Sequence, residues 1–268
     1  MNLYRQYATQ NDCYKRGQTI KPKGIMVHST GANNPYLKRY VQPDDGRLGN
    51  NPYNNSFNTL LPGGRQVCVH AFIGRLADGS IATYQILPWN YRAWHAGGSA
   101  NNTHIGFEIC EDGLNDKDYF DKVYKEAVEL CVYLCQMFNL TEKDILCHSE
   151  GNRKGIASNH SDVMHWFPKF GKTMDTFREA VKDGLNGKTT VKKPVTKKEE
   201  PIKNTAFKPY LVKITADELN VRAGASTAYK VNTTVKKGGV YTIVAELNGW
   251  GKLKSGAGWI KLSYTKKL

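Results

Sequence analysis

Short apolar runs and one long helical repeat organise the first 187 residues. "KGIMVHST" (23–30) is an apolar run ending in His28 and predicts a buried strand. "VCVHAFIG" (67–74) and "SIATYQIL" (80–87) predict two more strands, joined as a hairpin through the Asp-Gly of "RLADGS". "THIGFEIC" (103–110) predicts a further central strand. Within 119–139, Val123, Ala127, Leu130, Leu134 and Met137 recur at helical spacing and predict an amphipathic helix. "TEKDILCHSE" (141–150) reads as a short connection or helix start leading to a strand end at His148. "TMDTFREAVKDGLNG" (173–187) predicts a closing helix stopped at Gly187. Strands and helices in this order predict an α/β domain with a mixed central sheet flanked by helices.

The pattern then changes twice. Residues 186–209, "NGKTTVKKPVTKKEEPIKNTAFKP", are rich in Lys, Thr and Pro and nearly free of large apolar side chains. That composition predicts an extended, solvated linker. Beyond it, short alternating runs separated by Gly-rich turns predict a small all-β barrel. The expected organisation is a first domain over 1–185, a basic linker over 186–207 and a second domain over 208–268.

Charge sharpens this division. Of the net charge of +14, +12 lies from Asn186 onward, where seventeen Lys and Arg face five acids. The C-terminal part is therefore expected to meet an anionic partner. Its lysines alternate with Gly and Thr rather than lining one helix, and no nucleic-acid motif appears, so nucleic acid is not the expected partner. The first residues contain no apolar h-region, so no secretory signal is expected. No run reaches the length of a membrane span, and no membrane insertion is expected. Six cysteines, at 13, 68, 110, 131, 135 and 147, show no CxxC spacing and are expected to be mostly free thiols.

All seven histidines lie before residue 166, so catalytic chemistry is sought in the first domain. His28 and His148 each end a predicted strand, and Asp162 follows in a segment that also holds His160. Residues at strand ends on a common sheet edge can converge on one metal although distant in sequence. Two imidazoles, a carboxylate and an open position form a recurrent catalytic zinc arrangement. Glu108 sits mid-strand between apolar neighbours, where an unpaired acid is costly. It reads either as a general base or as a structural ion-pair partner of Arg153 or Lys154.

Together, "GIMVHST", "VHAFIG…DGSIATYQILP", "RAWHAGG", "NNTHIGFEIC" and "CHSE…NHSDVMHWFP" resemble the zinc-dependent N-acetylmuramoyl-L-alanine amidases of the type-2 class. That fold is shared with a phage lysozyme and the peptidoglycan recognition proteins. The resemblance covers roughly residues 20–182 and implies Zn2+ held by His28 and His148. In the family a Cys or Asp closes the set, often two positions after a catalytic Lys. Here Asp162 lies fourteen residues after His148, a longer spacing than the family's, and His160 then falls at the Lys position. Asp162 is favoured as third ligand, with His160 and His165 as competitors. The resemblance further implies Glu108 as base, His160 as stabiliser of an oxyanion, and Trp94 and His95 as cleft residues that contact substrate. His70 and His104 are expected to be structural.

Residues 208–268 resemble a bacterial SH3-like domain through "ELNVRAGAS", "VKKGGVYTIV" and "GWGKLKSGAGWIKLSY". Tyr229, Tyr241, Trp250 and Trp259 are candidates for an aromatic groove, with about half expected in the core. The two resemblances imply an enzyme that cuts the amide between N-acetylmuramic acid and L-alanine while a basic module holds Gram-positive peptidoglycan and its anionic polymers. A phage or prophage lysin, kept in the host cytoplasm until a holin opens the membrane, fits this reading; a bacterial autolysin exported by another route is the alternative origin. The competing functions are a non-catalytic peptidoglycan-binding protein of the same fold and a cysteine endopeptidase using Cys68, Cys110 or Cys147.

Overall fold

A computed structural model describes residues 1–59, 66–187, 209–224, 227, 229–247 and 249–268. The chain divides into two compact units, Met1–Lys197 and Lys198–Leu268. The expected linker over 186–207 lies, apart from its first two residues, outside the described residues.

The first unit is built on six strands: β1 (Leu3–Arg5), β2 (Gly24–Asn33), β3 (Ala71–Arg75), β4 (Ile81–Gln85), β5 (His104–Glu111) and β6 (Ile145–Cys147). Their order is β1-β4-β3-β5-β2-β6. Only the β3–β4 hairpin is antiparallel; every other neighbouring pair is parallel. The mixed sheet and its helices are therefore as the apolar runs predict. Among the described residues four α-helices accompany it: α1 (Asp12–Arg16), α2 (Lys117–Phe138), α3 (His148–Arg153) and α4 (Met174–Leu185).

Strand pleating sorts side chains to two faces. Ile25 and Val27 of β2, Ala71 and Ile73 of β3, and Ile105, Phe107 and Ile109 of β5 point into one core with α2 and α4. The intervening residues, His28 and Glu108 among them, point to the other face. There Phe72, Tyr84 and Cys110 build a second core, and Met26 packs with Ala96 and Ala100. The parallel register sets His28 directly beside Glu108.

Helix α2 begins where the Asp116 side chain accepts the Tyr119 N–H and ends at Asn139 in the left-handed region, φ 55°. Val123, Ala127, Leu130 and Leu134 bury as their spacing predicts, whereas Met137 stays 43% exposed near the helix end.

Three elements differ from the sequence reading. The strand expected over 67–74 starts only at Ala71, and Cys68 makes a single bridge to Trp94. β2 runs on past His28 to Asn33. His148 does not end a strand; it is the first residue of α3, whose start is capped by Glu150 accepting from the Cys147 N–H at 3.1 Å. All six cysteines are free thiols and buried.

Among its described residues the second unit has seven strands, β7 (Tyr210–Ile214), β8 (Glu218–Arg222), β9 (Val231–Lys236), β10 (Val240–Leu247), β11 (Trp250–Leu253), β12 (Trp259–Lys261) and β13 (Thr265–Lys267). They pair antiparallel in the order β13-β7-β10-β11-β12-β8-β9. Val212, Ile214, Leu219, Val221, Val235, Ile243, Leu253 and Ile260 alternate into its core. Of the four aromatic candidates, Trp250 is buried, Tyr241 packs partly on the core, Trp259 is half-buried and Tyr229 is 47% exposed.

Candidate metal centre and cleft

A cleft of about 560 Å³ opens on the sheet face opposite α2. Its lining includes His28, Trp94, His95, Glu108, His148, His160 and Asp162. Of the residues the sequence nominates for the site, all but the competing ligand His165 thus border one cavity. At its floor three atoms converge. His28 Nδ1 lies 3.0 Å from Asp162 Oδ2 and 3.1 Å from His148 Nδ1, and His148 Nδ1 lies 3.5 Å from Asp162 Oδ2. A backbone bond from the His148 N–H to the Asp162 carbonyl, 3.1 Å, ties the two segments together.

Hydrogen bonding fixes which way the imidazoles present their lone pairs. His95 Nε2 lies 3.1 Å from the His104 carbonyl oxygen, which can only accept, so this nitrogen carries the proton. His95 Nδ1 then accepts from His28 Nε2–H at 2.9 Å. On the other side, the Ser158 hydroxyl donates to the Ala96 carbonyl at 3.3 Å and accepts from His148 Nε2–H at 3.1 Å. With their protons placed on Nε2, both rings turn a bare Nδ1 toward the carboxylate. Three acceptors facing one point repel each other unless a cation lies between them. Their separations match a tetrahedral ion with bonds of about 2.0–2.1 Å, whose ligand-to-ligand edges are about 3.3 Å. The donor set, two imidazoles and one carboxylate, therefore fits a divalent cation.

Electrostatics agree. Burial lowers the His28 pKa, against the opposing pull of Asp162, so the ring favours its neutral, ligating form. His95 is pushed well down by burial, then by the neighbouring His28 and His70.

Glu108 is a different kind of acid. Burial raises its pKa well above the ordinary range, and the charges of Asp162 and Glu111 add to the effect. Among the described residues its Oε2 has no hydrogen-bond partner. Neither Arg153 nor Lys154 pairs with it in the described ion pairs, and those two residues stand exposed. A half-buried carboxyl with one sheltered, unpartnered oxygen beside a cation-ready cluster is suited to proton transfer.

His160 is exposed at the edge of the cluster, its ring 4.6 Å from that of His148, and it shares the Ser158 hydroxyl at 3.0 Å. His165 is drawn elsewhere: its Nε2 lies 2.9 Å from Glu111 Oε1. Trp94 forms part of the wall, with the guanidinium carbons of Arg16 and Arg92 5.3 and 5.8 Å from its ring centroid. Besides lining the cleft, His95 acts through His28, a role its motif did not disclose. Ser158 went unread altogether; one serine in "GNRKGIASN" carries no pattern that marks it as the partner of two histidines. The thiols of Cys68, Cys110 and Cys147 are all pushed up by burial, which disfavours a thiolate nucleophile.

Comparison with known proteins gives independent findings. A family model described as N-acetylmuramoyl-L-alanine amidase matches residues 18–165, and one described as bacterial SH3 domain matches residues 215–266. The N-acetylmuramoyl-L-alanine amidase CwlA of a Bacillus species is 27% identical over 154 residues, 55% of this chain and 52% of CwlA. The chain thus spans about half the length of that curated relative. A solved structure of a PlyL mutant aligns with a TM-score of 0.50 at 22% identity, over 69% of this chain and all of PlyL's. This likeness is one of fold. The Staphylococcus aureus hydrolase AmiA, solved in complex with its ligand, aligns with a TM-score of 0.49 at 16% identity, over 70% of this chain and 85% of that one.

Proposed function

Because the chain belongs to the N-acetylmuramoyl-L-alanine amidase family and carries a bacterial SH3 domain, we propose that it hydrolyses the amide between N-acetylmuramic acid and L-alanine in peptidoglycan, with Zn2+ as its metal. The observation that carries this reading is the convergence of His28 Nδ1, His148 Nδ1 and Asp162 Oδ2 on one point. These three atoms would hold the ion. When bound, zinc supplies a Lewis acid for the scissile carbonyl and brings a water within reach of ionisation near neutral pH.

The protein's own groups do the rest. Glu108 takes the proton of the attacking water and returns it to the leaving amine of L-alanine. Its ionised form, opposed by burial and by the charges of Asp162 and Glu111, would be less costly beside a cation held by the three ligands. His160, exposed beside His148, donates to the oxygen that gains charge. His95 and Ser158 hold the two imidazoles in the ligating tautomer. Trp94 and the apolar wall around Phe57, Val67 and Val69 receive the sugar and stem peptide.

In this reading residues 1–185 cut, 186–207 tether and 208–268 hold the wall of Gram-positive bacteria through its peptidoglycan and anionic polymers. Tethering raises the local concentration of the cutter on an insoluble substrate. Among the described residues no helix is long and apolar enough to cross a membrane. The domain pairing suits a phage or prophage lysin released to the wall through a holin-opened membrane. Mass spectrometry of digested walls tests the activity. New L-alanine amino termini with intact glycan strands, lost on chelation and restored by zinc, are expected. New reducing sugars, or no cleavage, would refute it.

A further inference from the structure

From Tyr210 to Leu268 the second unit holds ten lysines and arginines against three acids. Strand register gathers part of that excess around two indoles. In β11 Leu253 points into the core while Trp250 and Lys252 turn to the opposite face. In β12 Ile260 points inward while Trp259 and Lys261 turn outward, and in β8 Val221 points inward while Arg222 turns outward. Antiparallel pairing then opposes Trp250 to Lys261, Lys252 to Trp259, and Trp259 to Arg222. Directly opposed residues share a face with Cβ atoms about 4.5–5.5 Å apart. Across three neighbouring strands, one row therefore reads Lys252, Trp259, Arg222.

Exposure suits contact with a ligand. Lys252 and Lys261 are exposed, Arg222 and Trp259 half-buried, and Trp259 is not among the side chains packed on this unit's core. Arg222 is held in place by donating from Nη1 to the carbonyls of Thr227 at 3.0 Å and Tyr229 at 2.8 Å. The Tyr229 ring lies against Gly224, where an added Cβ would come within 2.6 Å of it. An exposed aromatic ring thus flanks the Arg222 end of the row.

A lone phosphate would need only the cations, and a neutral glycan only the indole. An indole between two cations suits a chain that alternates CH-rich polyol or sugar units with phosphodiesters. We propose that the Lys252–Trp259–Arg222 row binds a phosphodiester-linked polyol polymer of the bacterial wall. The proposal rests on the reading that this protein works on such walls. Single-stranded nucleic acid offers similar phosphates with flat bases, and the test separates the two.

The full-length protein is sedimented with Gram-positive walls before and after hydrofluoric acid treatment, which removes phosphodiester polymers and leaves peptidoglycan. It is also titrated with purified poly(glycerol phosphate) and with an oligodeoxynucleotide of equal charge. Treated walls are expected to retain several-fold less protein, and Trp259→Ala to weaken polymer binding by about tenfold. Lys252→Gln, an exposed change that disturbs no packing, should weaken binding less and flatten its salt dependence. Equal retention on both walls, oligonucleotide binding as tight as polymer binding, or variants that bind like the parent would each overturn the proposal. Hydrolysis of soluble wall fragments is scored separately. An inactive protein that still binds polymer would sink the amidase reading alone, and an active one that ignores polymer would sink this site alone.

Discussion

The two units keep their polar chemistry in opposite places. The first buries it: His28, His70 and His148 are at most 4% exposed, and Glu108 lines the cleft half-buried, its sheltered Oε2 without a partner among the described residues. The second displays it: Lys213, Lys252 and Lys261 stand exposed on strands whose buried core side chains are apolar. Burial shifts pKa values and leaves lone pairs in want of a cation, which a reaction can use but stability must offset. An open face leaves charges in contact with water, which a reversible hold on a polymer can use.

If that contrast is right, damage to the first unit should fall on chemistry. The largest effect is expected from Asp162→Asn, which removes the only anionic donor of the cluster. Hydrolysis should fall on the order of 10³-fold or more, with bound metal lost in parallel. Glu108→Gln should lower kcat by about 10²- to 10³-fold while metal content, read by elemental analysis, stays intact. Metal loss in that variant would place Glu108 among the ligands instead.

Acid should reach the buried His70 next. Its Nε2 donates to the Tyr91 carbonyl at 2.9 Å and its Nδ1 accepts from Gly106 N–H at 3.1 Å, and burial lowers its pKa to about 4. The neutral ring is the folded form. Its contribution is complete above the unfolded value near 6.5 and is lost as pH falls toward about 4, a change of about 3 kcal/mol. His70→Gln keeps a donor and an acceptor without titrating. Urea unfolding at pH 7 and pH 4.5 should therefore show a smaller pH difference in the variant; an unchanged difference would contradict the assignment. The smallest effect is expected from Ser158→Ala, which removes the acceptor for His148 Nε2–H and should weaken metal affinity about tenfold. Competition with a chromophoric chelator measures it.

Legibility in the sequence followed the range of the interactions. His28 and Glu108 sit in apolar runs whose period already places them on strands, and their pairing follows from parallel register. The start of α3 at His148 did not show, because a six-residue helix has too little periodicity and is set by the Glu150 cap. β1 is three residues long and exists through pairing with β4, so no local pattern announces it. Asp162 was reachable only by resemblance and residue type, since thirteen residues of turn and short helix separate it from His148. Ser158 and the relay through His95 were invisible because hydrogen-bond direction is not written in spacing. In the second unit, alternation gave the strands, but which tryptophan faces outward depended on register across β8, β11 and β12.

The central claim is that His28, His148 and Asp162 hold one divalent cation. Isothermal titration of zinc into chelator-stripped protein tests it most directly. The account predicts one tight site per chain, absent in Asp162→Asn and in His28→Ala, with hydrolysis returning as that site fills. Full hydrolysis by the stripped protein, or the same tight site in both variants, would contradict it.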